Sequence, residues 1–505
     1  MIVAKSLSTE VTTMPVKKKT AAKASKSAKP AKAEKKSKKI DPKAEFPNLY
    51  ETSSAEDIEA AMSFAEDYKT FIDISKTERE FVKNAKEACE SLGFKDIAEF
   101  DTLKSGDKVY ASIKDKGFVC AVIGKHPVSE GFNILGAHID SPRLDLKPNP
   151  VFEDAETVYF KTHYYGGIKK YQWTTIPLAL HGTIYTSDGK ARDMIIGEKD
   201  TDPVFYITDL LPHLGREQMK GNAEDFIPAE DLTVVIGGIP VKGKDKVKEP
   251  YKAAILKYLY DEYGIVEKDF VSGELEIVPA TKARDLGLDR AYIAAYGHDD
   301  KCCAYPALMA LLAQDKPKRT CVAFLTDKEE IGSYSNSGAQ SVLYENFLME
   351  LLAKNLGGID KFNMLVYRKA LENTKMLSTD VTTGFDPKYA SVFEKNNTAF
   401  LSHGVKIEKY TGARGKSGTN EANGDFVADI TKIFADNSIP WQTGELGKID
   451  AGGGGTISCY MAKMGMDVVD LGIPVWSMHA PVEVISKIDL YFLYLAYKAF
   501  VEQIG

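Results

Sequence analysis

AYIAAYGHDDKCCAYPALMALLAQDKPKRTCVAFLTDKEE, residues 291–330, is the stretch on which the fold turns. It opens on an apolar, strand-like run, Ala291–Gly297, and continues into a helix predicted over Cys303–Gln314. It then returns to a second apolar run, CVAFLT, at Cys321–Thr326. Strand and helix alternating at this spacing predict an α/β domain built on a mixed or parallel sheet. The polar residues are placed with equal regularity: His298, Asp299 and Asp300 follow the first run, and Glu329 and Glu330 follow the second. In open α/β sheets chemistry gathers just beyond strand ends, so both carboxylate pairs mark candidate positions for a site.

The pattern extends outward from there. TKMLST and VVDLG read as further strands, and Gln340–Lys354 and Val484–Glu502 as helices. Upstream, Ala55–Ile74 has helical spacing. A second helix starts at Thr77, where Glu80 completes a capping box, and Gly93 ends it. KVYASI, GFVCAVIG and FNILGAH then read as strands. Residues 146–284 differ: they carry short β-type runs (TVYFKTHYYGG, LALHGTIYT, DPVFYIT, LTVVIGG) and one helix near Pro250–Tyr263. They are therefore expected to be a β-rich domain inserted between residues 46–145 and 285–505.

Composition narrows the class. The chain has 505 residues, is 44% hydrophobic and 27% charged, and carries a formal net charge of -7. These are ordinary values for a soluble globular protein, and the acidic balance argues against nucleic acid as the main partner. No segment has the apolar core of a signal peptide. The longest apolar stretch, Cys302–Ala313, is about a dozen residues, too short to span a bilayer. None of the six cysteines forms a CxxC pair, which points to reduced thiols and a cytoplasmic setting. Residues 1–45 include the tract PVKKKTAAKASKSAKPAKAEKKSKKIDPK, which has almost no large apolar side chain and is expected to be a disordered tail. It reads as a solubilising segment or as an electrostatic tether to an acidic partner.

Five short segments carry acid or imidazole groups in order along the chain: GAHIDSPRL from Gly136, GHDDK from Gly297, TDKEEIGS from Thr326, STDVTTG from Ser378 and SMHAPVEV from Ser477. His138 and Asp140 are two apart in an extended run and face the same way, so Asp140 can orient the imidazole. Taken alone, HxD is a weak signal and reads better as a chance pairing. Glu329 and Glu330 are either a solvated acidic turn partnered by Lys328, or one metal ligand and one proton carrier. Asp299 and Asp300 are either an N-capping pair or a source of the carboxylate that two adjacent cations share. Asp380 and His479 each follow a strand-like run. His plus carboxylate donors suit catalytic zinc, with cobalt or manganese as alternatives. Gly452–Gly455 form a glycine loop without the ending of a phosphate-binding loop.

Taken together, the segments resemble the aspartyl aminopeptidase family of dinuclear metallopeptidases, which includes yeast vacuolar aminopeptidase I. The match is collinear from about Ala55 to the C-terminus; GAHIDSPRL, DKEEIGS and DLGIPVWSMHAP are close to family signatures. The resemblance implies an α/β mixed-sheet zinc-peptidase domain with helices on both faces, and a dimerisation role for the β-rich insert. It implies two divalent metal ions, with Asp299 bridging them. His138 and Asp380 would complete one site, Glu330 and His479 the other. Glu329 would be general base and proton shuttle, and Asp140 would orient His138. Substrates would be peptides with a free N-terminus. Family members form dodecamers from dimers, and the stretch around His163 is similar to one that reaches a neighbouring subunit's site. Gly453 matches a position near the substrate pocket. The Lys that pairs with acidic substrate side chains aligns with Lys409, with Lys406 and Lys416 as competitors. Where eukaryotic members read RLDN, this chain reads GHDDK, and KYTGARGKSG also departs from them. N-terminal Asp and Glu, or neutral residues such as Leu, are the substrates in view. The rival readings are a related metal-dependent amide hydrolase and a non-catalytic self-assembling protein.

Overall fold

The computed structural model describes residues 45–242 and 247–505. The expected N-terminal tail falls outside them.

Strand patterning explains the main layer. In Phe132–His138, Phe132 and Ile134 enter one buried apolar cluster while Leu135 and Ala137 enter another. In Thr320–Thr326, Val322 and Phe324 join the Phe132 side, and Cys321, Ala323 and Leu325 the Leu135 side. Strands apolar on both sides need cover on both sides. Helices Ala55–Asp73, Glu78–Ser91, His298–Leu312, Gly424–Asp436 and Lys487–Gln503 supply it on one face, and Val342–Asn355, Met364–Glu372 and Ser458–Lys463 on the other. The fold is thus α/β with helices on both faces of a mixed sheet, as the alternation predicts.

That sheet has nine strands. At its centre Thr320–Thr326, Phe132–His138, Lys375–Thr379 and Asp467–Gly472 run parallel in that order. Gly117–Val122 on one side and Val405–Glu408 on the other join antiparallel. The four central strands end on one edge, with Thr326 directly opposite His138. Residues just past those ends are therefore brought together from distant parts of the chain.

A second sheet of six antiparallel strands lies between the first and later site segments in sequence. Its order is Ala191–Ile196, Leu178–Tyr185, Gly273–Pro279, Arg143–Asp154, Thr157–Tyr165, Val234–Gly237. It has its own buried cluster around Trp173, Phe160, Leu180 and Ile277, covered partly by the helix Pro250–Tyr263.

Local signals fared unevenly. The Thr77–Glu80 capping box is present, and Gly93 follows the helix with φ of 82°. The helix expected from Val484 begins instead at Lys487, because Glu483–Ser486 pairs as a strand with Tyr292–Ala295. That pairing also places Tyr292–Ala295 in a small three-stranded sheet with Arg284–Leu286 and outside the central one. DPVFYIT makes only isolated bridges, through Phe205 and Tyr206. Here long-range pairing outweighs local propensity. Among the described residues no helix is long and apolar enough to cross a membrane.

Candidate active site

His138 is the last residue of its strand and is buried. Its Nε2 lies 3.1 Å from Asp299 Oδ1, 3.8 Å from Asp380 Oδ1 and 4.0 Å from Glu329 Oε2. His479 approaches from a loop beyond Asp467–Gly472, in the left-handed region at φ of 64°. Its Nε2 lies 3.2 Å from Asp299 Oδ2 and 3.4 Å from Glu330 Oε2. Asp299 thus presents one oxygen to each imidazole. Six residues singled out in the sequence (His138, Asp299, Glu329, Glu330, Asp380 and His479) converge on one place.

Two alternatives raised by the sequence fail here. Neither Asp299 nor Asp300 caps a helix through its side chain: the Asp299 oxygens face the two imidazoles, and both Asp300 oxygens lack a hydrogen-bond partner. Glu329 and Glu330 are not a solvated turn paired with Lys328. The Lys328 ammonium turns to Asp327, at 3.6 Å, and to the Tyr165 ring, while the Glu330 side chain is only 4% exposed.

The surroundings fix the orientation of this group. His138 Nδ1 lies 3.1 Å from the backbone carbonyl of Asp140 and 3.4 Å from its carboxylate, so the tautomer is set by carbonyl and carboxylate together. Asp140 Oδ1 and Oδ2 accept the backbone N–H groups of Glu329 and Glu330, each at 3.2 Å. His479 Nδ1 faces the Gly167 carbonyl at 2.8 Å. Glu483 accepts the backbone N–H groups of both His479, at 2.7 Å, and Asp299, at 3.0 Å.

The electrostatics are those of crowded carboxylates. Burial pushes Glu329 up to about 7, opposed by His138 and reinforced by Asp140. Burial likewise raises Glu330 and Asp380, with Asp299 adding to Glu330. Burial opposes the charged form of His138, but Asp140 and Asp299 overcome it and hold the imidazole well above its usual range. This is a cluster short of positive charge. Donor atoms of His138, Asp299 and Glu330 lie within 4.8 Å of one another, as do those of His138, Asp300 and Asp380. Glu330 Oε1 and both Asp300 oxygens are buried without a hydrogen-bond partner. Buried carboxylate oxygens left over in a nest of imidazole and carboxylate donors fit divalent cations.

A cavity of about 400 Å³ opens over the cluster, lined by Glu329, Glu330, Asp380 and His479 and extending to Glu408, Thr411, Gly453, Thr456, Cys459, Tyr460 and Met478. Gly453 is there as expected: its φ is 126°, and a Cβ would stand 2.4 Å from the Gly412 carbonyl. Lys409 is exposed and does not line this cavity. Lys406 is buried and donates to Glu408 Oε2 at 2.8 Å, and Lys416 pairs with Glu421. His163 is exposed on the strand Thr157–Tyr165, beside Tyr164 and away from this cluster. Of the six free cysteines, five are buried and Cys459 reaches the cavity.

The sequence reading gave no role to Glu483, Tyr165 or Gly167. Glu483 lies within the quoted SMHAPVEV, and the spacing His479–Glu483 was its one visible signal. Gly167 acts through a carbonyl, which no residue-type pattern reveals.

Comparison with known proteins bears on the family and the fold. The family model described as aminopeptidase I zinc metalloprotease (M18) matches residues 71–501. A probable M18 family aminopeptidase 1 of Clostridium acetobutylicum is 46% identical over 460 residues, covering 90% of this chain and 98% of that relative. The corresponding Thermotoga maritima protein is 44% identical over 462 residues, covering 92% of this chain and 100% of its own length. A crystal structure of an M18 aminopeptidase from Thermotoga maritima superposes with a TM-score of 0.87 at 43% identity, over 92% of this chain and 100% of that one. Yeast aminopeptidase 1, solved in one case as a dodecamer, shares the fold at 19% identity, with a TM-score of 0.69 over 86% of this chain and 96% of that one.

Proposed function

The chain belongs to the aminopeptidase I zinc metalloprotease (M18) family, and from that premise we propose that it removes single residues from the free N-termini of peptides with two divalent cations and Glu329 as general base. The observation that carries this reading is the carboxylate of Asp299, set between His138 and His479 with one oxygen toward each. In this reading His138 and Asp380 would hold one cation, Glu330 and His479 the other, and Asp299 would be shared between them. Zinc is the expected metal, with cobalt or manganese accepted by the same donors.

Bound cations there supply Lewis-acid polarisation of the scissile carbonyl and lower the pKa of an attacking water from about 15.7 towards 7. The residues do the rest. Glu329 Oε2 takes the proton of the attacking water and passes it to the leaving amine nitrogen. Asp140 and Glu483 hold the backbone of Glu329, Glu330, Asp299 and His479, so the donors keep their geometry as charge moves.

The cavity favours neutral N-terminal side chains over Asp or Glu. Among the described residues no Lys or Arg lines it, and Glu408 does, its charge matched by buried Lys406. Residues 146–284 are read as an inserted dimerisation domain. Exposed Ile195, Val204, Leu210, Leu211, Leu214 and Met219 on it favour a homo-oligomer, with a dodecamer built from dimers as the specific expectation. Six free thiols favour the cytoplasm.

The test is hydrolysis of Leu, Ala, Lys, Asp and Glu p-nitroanilides and an N-acetyl-Leu control, with chelator and metal add-back. Chelator-sensitive release from free amines only, fastest for Leu or Ala, is expected. Faster release from Asp or Glu would overturn the specificity reading. No release by metal-loaded protein would overturn the catalytic one.

A further inference from the structure

Resting on the metallopeptidase reading, we propose that Tyr165 is a positioning residue of the metal cluster, and that through it the inserted sheet holds the ligand-bearing turn of the central sheet in register. Tyr165 ends the strand Thr157–Tyr165, which belongs to the six-stranded sheet and contributes no metal donor. Its hydroxyl nevertheless donates to Asp140 Oδ2 at 2.7 Å, the shortest bond that carboxylate receives. The other contacts of Asp140 are longer: 3.2 Å from each of two backbone N–H groups, and 3.4 Å to His138 Nδ1.

One fully buried carboxylate therefore orients three parts of the site: the His138 ring, the Glu329 backbone and the Glu330 backbone. The terminal torsion of a carboxylate is soft. The Tyr165 hydroxyl pins one of its oxygens and so fixes where the other points. The ring is itself clamped. The Arg143 guanidinium lies 4.0 Å from its centroid and the Lys328 ammonium 5.0 Å. Arg143 stands directly opposite Tyr165 across the strand pair and is anchored to Glu78, Asp145 and Glu276.

The same segment reaches the second imidazole. Two residues past Tyr165, the Gly167 carbonyl faces His479 Nδ1. Between them Gly166 has φ of 75°, and a Cβ there would stand 3.4 Å from the Glu330 side chain. Residues 165–167 thus address His138 through Asp140, and His479 directly. A shift of the inserted sheet relative to the central one moves both imidazoles. Contacts that brace that sheet, including contacts between copies of the chain, are thereby coupled to metal affinity.

Tyr165→Phe tests this, because it keeps the ring and both cation contacts and removes one hydroxyl. Zinc affinity is measured by competition with a chromogenic chelator, and turnover on the best aminoacyl p-nitroanilide. The expectation is zinc binding weakened by about 10- to 100-fold and kcat lowered with KM nearly unchanged. In an Asp140→Asn background, Tyr165→Phe should add nothing, because its effect runs through that carboxylate. The cobalt-substituted variant should show a shifted visible absorption band, a readout that also serves if Asp140→Asn does not fold. Zinc affinity within twofold of the parent, fully multiplicative losses in the double variant, or a superimposable cobalt spectrum would each overturn the proposal. In those cases a parent protein that binds zinc leaves the metallopeptidase reading standing. A parent protein that binds no zinc sinks both.

Discussion

Replacing Arg143 by Met should destabilise the protein by about 4 kcal/mol near pH 8. The Arg143 side chain is 4% exposed, and Glu78 and Glu276, at 3.3 and 3.1 Å, are equally buried. Asp145, the third partner, is 40% exposed and contributes little. Met fills most of the arginine volume, so the cost is electrostatic. Removing one partner of a buried pair costs about 3–5 kcal/mol, and the lost stacking on Tyr165 adds up to about 2 kcal/mol. Protonation of the stranded carboxyls limits the total. Glu78 Oε2 and Glu276 Oε2 already lack hydrogen-bond partners, so nothing stands ready to take the place of the guanidinium. The pH dependence follows from the same groups. Burial keeps Glu276 well above its usual value despite Arg143, whereas against burial Arg143 holds Glu78 below its own. The Glu78 contribution is present above the unfolded carboxylate pKa and is lost as pH falls through the folded one. Without Arg143, both folded pKa values lie above the unfolded ones, so acidification stabilises the variant relative to the parent. Urea denaturation of the zinc-loaded proteins at pH 8 and pH 5 should therefore show a gap that narrows in acid. At pH 8 the melting temperature should drop by about 4 °C, since unfolding entropy is roughly 2 cal/mol/K per residue. A difference below about 1 kcal/mol at pH 8, or a gap that widens at pH 5, would refute the reasoning.

Four further outcomes are expected. Glu329→Gln should lower kcat by about 10²–10⁴-fold with zinc content intact by elemental analysis; near-normal turnover would remove Glu329 from the base role. Gly472→Ala should cost about 1–3 kcal/mol and at least a tenfold drop in kcat/KM, because its Cβ would meet the Asp380 carbonyl at 2.0 Å; an unaffected variant would mean the backbone yields there. Against the cost of burial, Glu198 and then Glu80 raise His181 to about 9. Its contribution, up to about 3 kcal/mol, is complete below pH about 6.5 and fades as pH rises through 9. Denaturation against pH should show that loss, and His181→Gln should flatten it. Chelation should lower the melting temperature, and zinc should restore it in a concentration-dependent way, since Asp299, Glu330 and Asp380 repel one another once the cations leave.

The central sheet was legible because its strands are buried on both faces. Such strands read as continuous apolar runs, and CVAFLT and FNILGAH are of that kind. The clustered acid and imidazole residues were legible for a related reason: His138, Glu329, Glu330, Asp380 and His479 end or follow central strands, and parallel strands deliver their ends to one edge, while Asp299 follows Tyr292–Ala295 of the small sheet. Glu483–Ser486 was misread because a strand pairing with Tyr292–Ala295, nearly two hundred residues away in sequence, precedes the helix without a break in apolar spacing. Specificity was the least legible part. Lys406, Lys409 and Lys416 are interchangeable on paper, and only burial and partner separate them: one is matched to Glu408, one is exposed, one is tied to Glu421.

Those failures share a cause. Candidate metal donors must be His, Cys or carboxylate residues, so the sequence advertises them. The groups that aim the donors are under no such restriction. A Tyr hydroxyl, a glycine carbonyl and a Glu that accepts two backbone N–H groups do that work here, drawn from two sheets. Residues 143–167 continue straight from the segment that carries His138 into the six-stranded sheet. His138 and Asp140 leave the central layer, Arg143 opens the first strand of the other, and Tyr165 returns opposite Arg143 to meet Asp140. The chain closes a loop through both sheets, and a brace on the site through Tyr165, as proposed, would act from the point where the second sheet begins.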